Sequence, residues 1–225
     1  VIEKIGRFLD PVIAVRQSGG YWTPNGNHRL QALRKLGARS ITALLVPEAE
    51  VAFKILALNT EKAHNLREKS LETIRMARAL AANPGKESDY AFEFEDPAFL
   101  TLGLCYEQRP RFSGSAYQPV LKRIDEFLDK PVAQAIHHRE ERAAALLALD
   151  DQVAAIVKKL LARGFKSPYL KPFVIARINP IRFSKSRSFD FTEVVSKMEA
   201  AAGRFNIEKV QEGDIAKSGG PPDAD

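Results

Sequence analysis

Cysteine is almost missing from this chain: of its 225 residues only Cys105 carries a thiol. One thiol excludes a disulfide framework and any cysteine-rich zinc site. It also fits a reducing compartment, so a cytoplasmic location is expected. Long apolar runs are missing too. None comes near the roughly 20 residues that a membrane-spanning helix needs, so no membrane partner is expected. There is no initiating Met, and Val1-Ile2-Glu3-Lys4-Ile5-Gly6 does not look like a secretory signal. That segment reads as the end of an element, so further sequence is expected upstream. What is present, 45% hydrophobic and 28% charged residues, is the balance of a globular protein. The length suits one large domain or two small ones, with a core that needs no staples.

The most informative absence is one of charge. From Gln152 to Phe189 there is no Asp or Glu. The same stretch carries Lys158, Lys159, Arg163, Lys166, Lys171, Arg177, Arg182, Lys185 and Arg187, nine cations. The whole chain nets only +6, so everything outside this block nets −3. A concentrated basic block on a mildly acidic body is the footprint of a phosphate-backbone binder, and DNA is the expected partner. The alternative is a set of solvated helix faces that happen to be basic.

Along the chain the first ~80 residues mix strand and helix signals. Val12-Ile13-Ala14-Val15 after Pro11 reads as a buried strand, Ser18-Gly19-Gly20 as a turn, and Tyr21-Trp22-Thr23 as a second strand. A helix is predicted over His28–Leu36, closed by Gly37, then a strand over Ile41–Val46. Pro47 opens a helix with Val51, Ile55 and Leu58 at helical spacing, and a longer helix runs Leu66–Ala82 until Asn83-Pro84-Gly85. Beyond it only helices are predicted: Pro97–Leu104, Ala116–Leu128, Val132–Leu149, Asp151–Ala162, Tyr169–Ile178 and Phe191–Ala202. Val153, Ile156, Val157, Leu160 and Leu161 make the clearest apolar stripe. The expected organisation is an α/β domain over 1–84, an all-α domain over 88–210 carrying the basic block 152–189, and a disordered tail over 211–225.

Gly26-Asn27-His28-Arg29-Leu30-Gln31-Ala32 sits between a predicted strand and a predicted helix. Backbone N–H groups at a helix N-terminus point outward, and the helix dipole adds partial positive charge. A phosphate there would also meet the Arg29 guanidinium, and His28 could donate to it. Gly26 would let backbone approach closely. The plain alternative is an ordinary strand-to-helix turn with Asn27 as cap.

These residues resemble the ParB/sulfiredoxin superfamily, in particular the N-terminal domain of ParB-like partition proteins (the ParB-like nuclease domain). The resemblance spans about residues 1 to 80. It rests on Pro11–Val15, Tyr21 to Arg29 leading into Gln31-Ala32, Leu36-Gly37-Ala38 with the Ile41 strand, and Ala57-Leu58-Asn59-Thr60-Glu61-Lys62. Gly26, Arg29 and Ala32 match the family's phosphate motif, which implies a bound nucleotide triphosphate, CTP or ATP, with Mg2+. Asn27 and His28 are implied phosphate contacts. Asn59 matches the Asn of the family's Glu-Asn-x-Gln-Arg motif and is the implied phosphate or metal contact. Leu58, Glu61 and Lys62 depart from that motif, and the carboxylate missing beside Asn59 weighs against hydrolysis more than against binding. The implied function is nucleotide and DNA binding in plasmid or chromosome partition or a related DNA transaction, with weak NTPase activity at most. A homodimer is among the implied partners. A nuclease or small-molecule kinase on the same scaffold is the alternative.

Sulfiredoxins carry Gly-Cys-His-Arg; here Asn27 holds the nucleophile position, which excludes their chemistry. Cys105 is expected to be a small buried hydrophobe. Glu61, His64 and Glu68 are read as a charged helix start rather than metal ligands, and His137 to Arg142 as an exposed helix face. Trp22 is read as core or rim, and Tyr169-Leu170 with Phe173-Val174 as packing. The nearest helix-turn-helix candidate is Asp151–Ala162, a turn at Gly164, and Tyr169–Ile178, with a turn longer than the usual 3–4 residues.

Overall fold

Val12, Ala14 and Val15 are the apolar residues that make a strand worth burying, and they do. In the computed structural model, which describes residues 11–17, 20–48, 55, 65–186 and 188–216, strand β1 is Val12–Gln17. It is central in a three-stranded sheet of order β2-β1-β3, with β2 at Gly20–Asn25 and β3 at Ala43–Val46. β1 and β2 are antiparallel, Val15 facing Trp22 and Ile13 facing Asn25, so β2 carries one extra residue between those pairs. Pro24 lies in that bulge, where its missing N–H leaves no ladder bond unmade. β1 and β3 are parallel, Val12 beside Ala43 through Val15 beside Val46. Helix α1, Asn27–Lys35, is the crossover between them. The predicted helix opening at Pro47 falls mostly outside the described residues.

The chain divides into two compact units, Val1–His64 and Asn65–Asp225. The division comes earlier than the break expected at Asn83–Ser88. Helix α2, Leu66–Leu80, is the reason: it buries Ile74, Met76, Ala77 and Leu80 within the helical unit. Asn65 caps it, its side-chain Oδ1 accepting from the Glu68 N–H at 3.0 Å. The Asn83-Pro84-Gly85 break does stop α2, but inside this unit, where the Gly85 carbonyl accepts from Val132 N–H at 3.2 Å.

After a 3-10 turn at Glu87–Tyr90 come α3 (Ala91–Phe94), α4 (Pro97–Gln108), α5 (Gly114–Ile124) and α6 (Val132–Ala162). Then follow α7 (Leu170–Ile178), α8 (Phe191–Gly203) and the short α9 (Glu212–Ala216). Helix α4 is the axle, buried continuously from Ala98 to Tyr106. A helix apolar on every side must be surrounded. Gly103 brings α2 onto it: a Cβ there would stand 2.4 Å from the Ser70 carbonyl oxygen. Cys105 is fully buried on the same helix as expected, 3.8 Å from the Ala143 carbonyl oxygen, and burial pushes its thiol up to about 12.

Three expectations need correction. The helices predicted over Val132–Leu149 and Asp151–Ala162 are one helix of 31 residues. Asp150, the expected break, is buried and satisfied by the Tyr117 hydroxyl at 2.8 Å and Lys171 at 2.7 Å, so it holds the helix in place. The tail is structured further than expected: Glu212–Ala216 is helical and Ile215 is buried, while 217–225 lie outside the described residues. The stripe on α6 holds for Val153, Ile156 and Leu160, but Leu161 is half exposed.

The His137–Arg142 stretch is not simply an exposed face. Arg139 is fully buried, and its guanidinium makes five hydrogen bonds. It donates to both Glu87 carboxylate oxygens (3.0 and 2.5 Å), to Thr101 Oγ1 (3.3 Å), to the Glu126 carbonyl (2.8 Å) and to Asp125. Glu87 also accepts from Leu128 N–H at 2.8 Å, and Asp125 from Thr101 at 2.6 Å and from Arg142. Among the described residues no buried side-chain polar atom lacks a partner. Arg139→Met leaves two buried carboxylates facing a thioether, and breaking a buried ion pair from one side costs about 3–5 kcal/mol. Urea denaturation followed by far-UV circular dichroism is expected to show that loss; a midpoint within error of wild type would contradict it.

Candidate nucleotide and nucleic-acid sites

Gly26 follows β2 and caps α1 with φ 98°, in the left-handed region that side-chain-bearing residues avoid. No side chain caps the helix, and its first turn holds no acidic residue; Arg34 and Lys35 sit in its last turn. The Gly26 carbonyl accepts from Leu30 N–H at 2.9 Å. The amides of Asn27, His28 and Arg29 precede that bond and form the N-terminal end of the helix, where its dipole is positive. A Cβ on Gly26 would lie 2.6 Å from Val12 Cγ1 and 3.4 Å from Arg29 Nε. The turn is thus wedged between the buried start of β1 and the Arg29 side chain, which folds back over it.

Gly26 and the Arg29 guanidinium lie side by side. Asn59, and the side chains of Asn27 and His28, lie outside the described residues. On the same sheet, an apolar hollow of about 380 Å³ is lined by Val12, Ala14, Tyr21, Thr23, Leu30, Ile41, Ala43 and Leu45. Trp22 is half-buried on β2.

No family model, curated protein or solved structure matches this chain. Its chemistry rests on the geometry of its own residues.

In the helical unit the eight described cations of the block separate into two groups once folded. Lys158, Lys159, Lys166, Arg177, Arg182 and Lys185 are exposed. Arg177 lies over Phe173 at 5.9 Å and Arg182 over Phe183 at 5.1 Å. Lys171 is drawn inward to the buried Asp150 carboxylate. Arg163 donates to the Ile207 carbonyl and lies 3.5 Å from Glu208. Both were expected to contact DNA, and both are occupied by groups from outside the acid-free run. Arg187 lies outside the described residues. The helix-turn-helix candidate is separated by the stretch 163–169, and α6 ends there with Gly164 N–H on the Leu161 carbonyl and Phe165 N–H on the Leu160 carbonyl.

Among the described residues no group of three or more His, Cys, Asp or Glu side chains is placed to hold a metal, and no helix is long and apolar enough to cross a membrane. Two residues that matter to the basic surface escaped sequence reasoning, Arg123 and Phe183. The only signal for them was an aromatic residue set between Arg182 and Lys185.

Gly26→Ala combines a strained φ, about 1–2 kcal/mol, with an overpacked contact on Val12, about 1–3 kcal/mol. Trp22 is the sole tryptophan and lies on β2, so its fluorescence reports on this unit. The variant is expected to lower the urea midpoint of the Trp22 transition; an unshifted midpoint would show that the turn tolerates a side chain.

Proposed function

We propose that this chain is a nucleotide-binding, DNA-binding protein of the ParB-like class, acting in plasmid or chromosome partition or a related DNA transaction. The observation that carries the reading is the left-handed Gly26 cap with Arg29 folded over it at a strand-to-helix junction. Helix-end amides, a helix dipole and a guanidinium stand together there, the elements that recognise a phosphate chain. The triphosphate, CTP or ATP with Mg2+, would lie against Gly26, Asn27, His28 and Arg29, with Asn59 as a further contact. The exposed cations of the helical unit support the DNA half of the reading, because phosphate contact needs charges that are not already paired within the protein.

The nucleotide half is tested by titrating all four NTPs, with and without Mg2+, by calorimetry. A charge-assisted bond is worth about 1.5–3 kcal/mol. Arg29→Ala is therefore expected to weaken the bound nucleotide by at least tenfold while circular dichroism stays unchanged. Equal affinity in wild type and variant would refute the phosphate loop.

The DNA half is tested by fluorescence anisotropy on two unrelated duplexes across a salt series. Lys158→Ala with Lys159→Ala is expected to weaken both duplexes about equally and flatten the salt slope by up to about 2, close to one counterion per lost phosphate contact. Lys171→Ala is expected instead to lower stability, since it removes an ammonium from the buried Asp150 carboxylate and leaves it the Tyr117 hydroxyl and Arg109. Absence of binding to either duplex at low salt, with and without nucleotide, would remove DNA from the reading.

A further inference from the structure

Phe183 is 88% exposed, the most exposed large hydrophobic residue among those described. A single exposed aromatic is ordinary on a protein surface. What sets this one apart is the trouble taken to hold it still. Arg123, at the end of α5, donates to three backbone carbonyls of the segment that displays it: Ile181 at 2.7 Å, Ser184 at 2.8 Å and Ser186 at 2.7 Å. Its guanidinium also lies over the Phe189 ring at 5.1 Å. Ile181 is buried, and Asn179 Oδ1 accepts from Ile181 N–H at 3.0 Å. Residues on either side of Phe183 are thus pinned to the helical body while the ring faces water.

The ring is held among cations. Arg182 stacks on it at 5.1 Å, and Lys185 follows two residues later, exposed. No carboxylate occurs between residues 179 and 189. An exposed aromatic ring on a clamped backbone, with positive charge on both sequence flanks, is the surface that receives an unpaired base and its phosphates, since every base has a face to stack and each linkage carries one negative charge. In duplex DNA the base faces are already stacked on one another, so this arrangement suits a single strand. A lipid surface fits less well: Ile181 points inward, Ser184 and Ser186 flank the tip, and one phenyl ring offers little apolar area to insert.

We infer that the loop over residues 179–186 is a single-stranded nucleic-acid contact, in which an unpaired base stacks on Phe183 while Arg182 and Lys185 hold the neighbouring phosphates. The inference deepens the DNA reading and rests on it. Phe92 supplies an internal comparison. It is 83% exposed, but Asp89, Glu93, Glu95 and Asp96 surround it in sequence, and that charge repels phosphate.

The test measures anisotropy of a labelled 20-nucleotide oligo-dT and of a duplex, using the full chain. Phe183→Ala is expected to weaken oligo-dT about tenfold and leave the duplex nearly unchanged. Phe183→Trp is expected to keep the wild-type affinity, Phe183→Leu to lose it, and Phe92→Ala to leave it intact. Because the ring is exposed, these variants keep their fold, which circular dichroism checks. Unchanged oligo-dT binding in Phe183→Ala, or recovery in Phe183→Leu, overturns the stacking contact; if the Lys158→Ala, Lys159→Ala protein still loses duplex, the DNA reading survives alone. Equal loss on both nucleic acids overturns the single-strand preference. Binding of neither by the wild type overturns both readings. Phe183-dependent binding to phosphatidylserine vesicles, without an oligo-dT effect, assigns the loop to a lipid surface and overturns the inference.

Discussion

Arg139 is the constraint around which the helical unit is built. A guanidinium buried without partners is prohibitively costly, so the chain must deliver acceptors for all five of its N–H groups to one point. Those acceptors come from the turn at Glu87, from Thr101 on α4, and from Asp125 and Glu126 just beyond α5. Three separate stretches of chain are thereby fixed in register with α6. Burial alone would lower the Arg139 pKa, but the Asp125 and Glu87 carboxylates outweigh it and hold the guanidinium firmly charged. Apolar packing around α4 supplies the bulk of the burial energy, but it is non-directional. The ion cluster supplies the direction.

Asp150 repeats the device on a smaller scale. It takes the Tyr117 hydroxyl from α5 and the Lys171 ammonium from α7, and Arg109 at the end of α4 lies 3.3 Å away and pairs with Asp151 as well. The consequence reaches function. A lysine that reads in sequence as a free contact for phosphate is committed to the fold, and Arg163 is similarly committed to the Ile207–Glu208 segment. The exposed cationic surface among the described residues is smaller and more discrete than the acid-free run suggests. It contains exposed lysines on α6, and it contains a loop clamped by Arg123. The clamp matters because a stacking residue held in place loses less conformational entropy on binding than a mobile one.

The two candidate sites have different physical characters. At Gly26 the elements proposed to recognise a phosphate are backbone amides and a dipole, which belong to the strand-to-helix turn, together with one guanidinium. At the basic surface the elements are side chains whose availability depends on what else they touch. The first kind of site can be read from a few neighbouring residues. The second cannot.

That difference marks how much was legible before folding. The strands at Val12 and Tyr21, the helix after Gly26, the buried Cys105 and the long α2 follow from local patterns of apolar spacing and turn residues, and their ends shift by only a few positions. The pairing of Gly26 with Arg29 was legible for the same reason, since three residues of helix place them together. The continuity of α6 through Asp150, the allegiance of α2 to the helical unit and the burial of Arg139 were not. Within the His137–Arg142 run, Arg139 looks like its exposed neighbours, because the carboxylates that neutralise it are 14 and 52 residues away. Sequence by itself determined where most of the described strands and helices lie and which glycine precedes α1, because those depend on residues within a turn of one another. Tertiary structure alone decided which charges remain free for a partner, because a charge is free only when no distant part of the chain returns to pair with it.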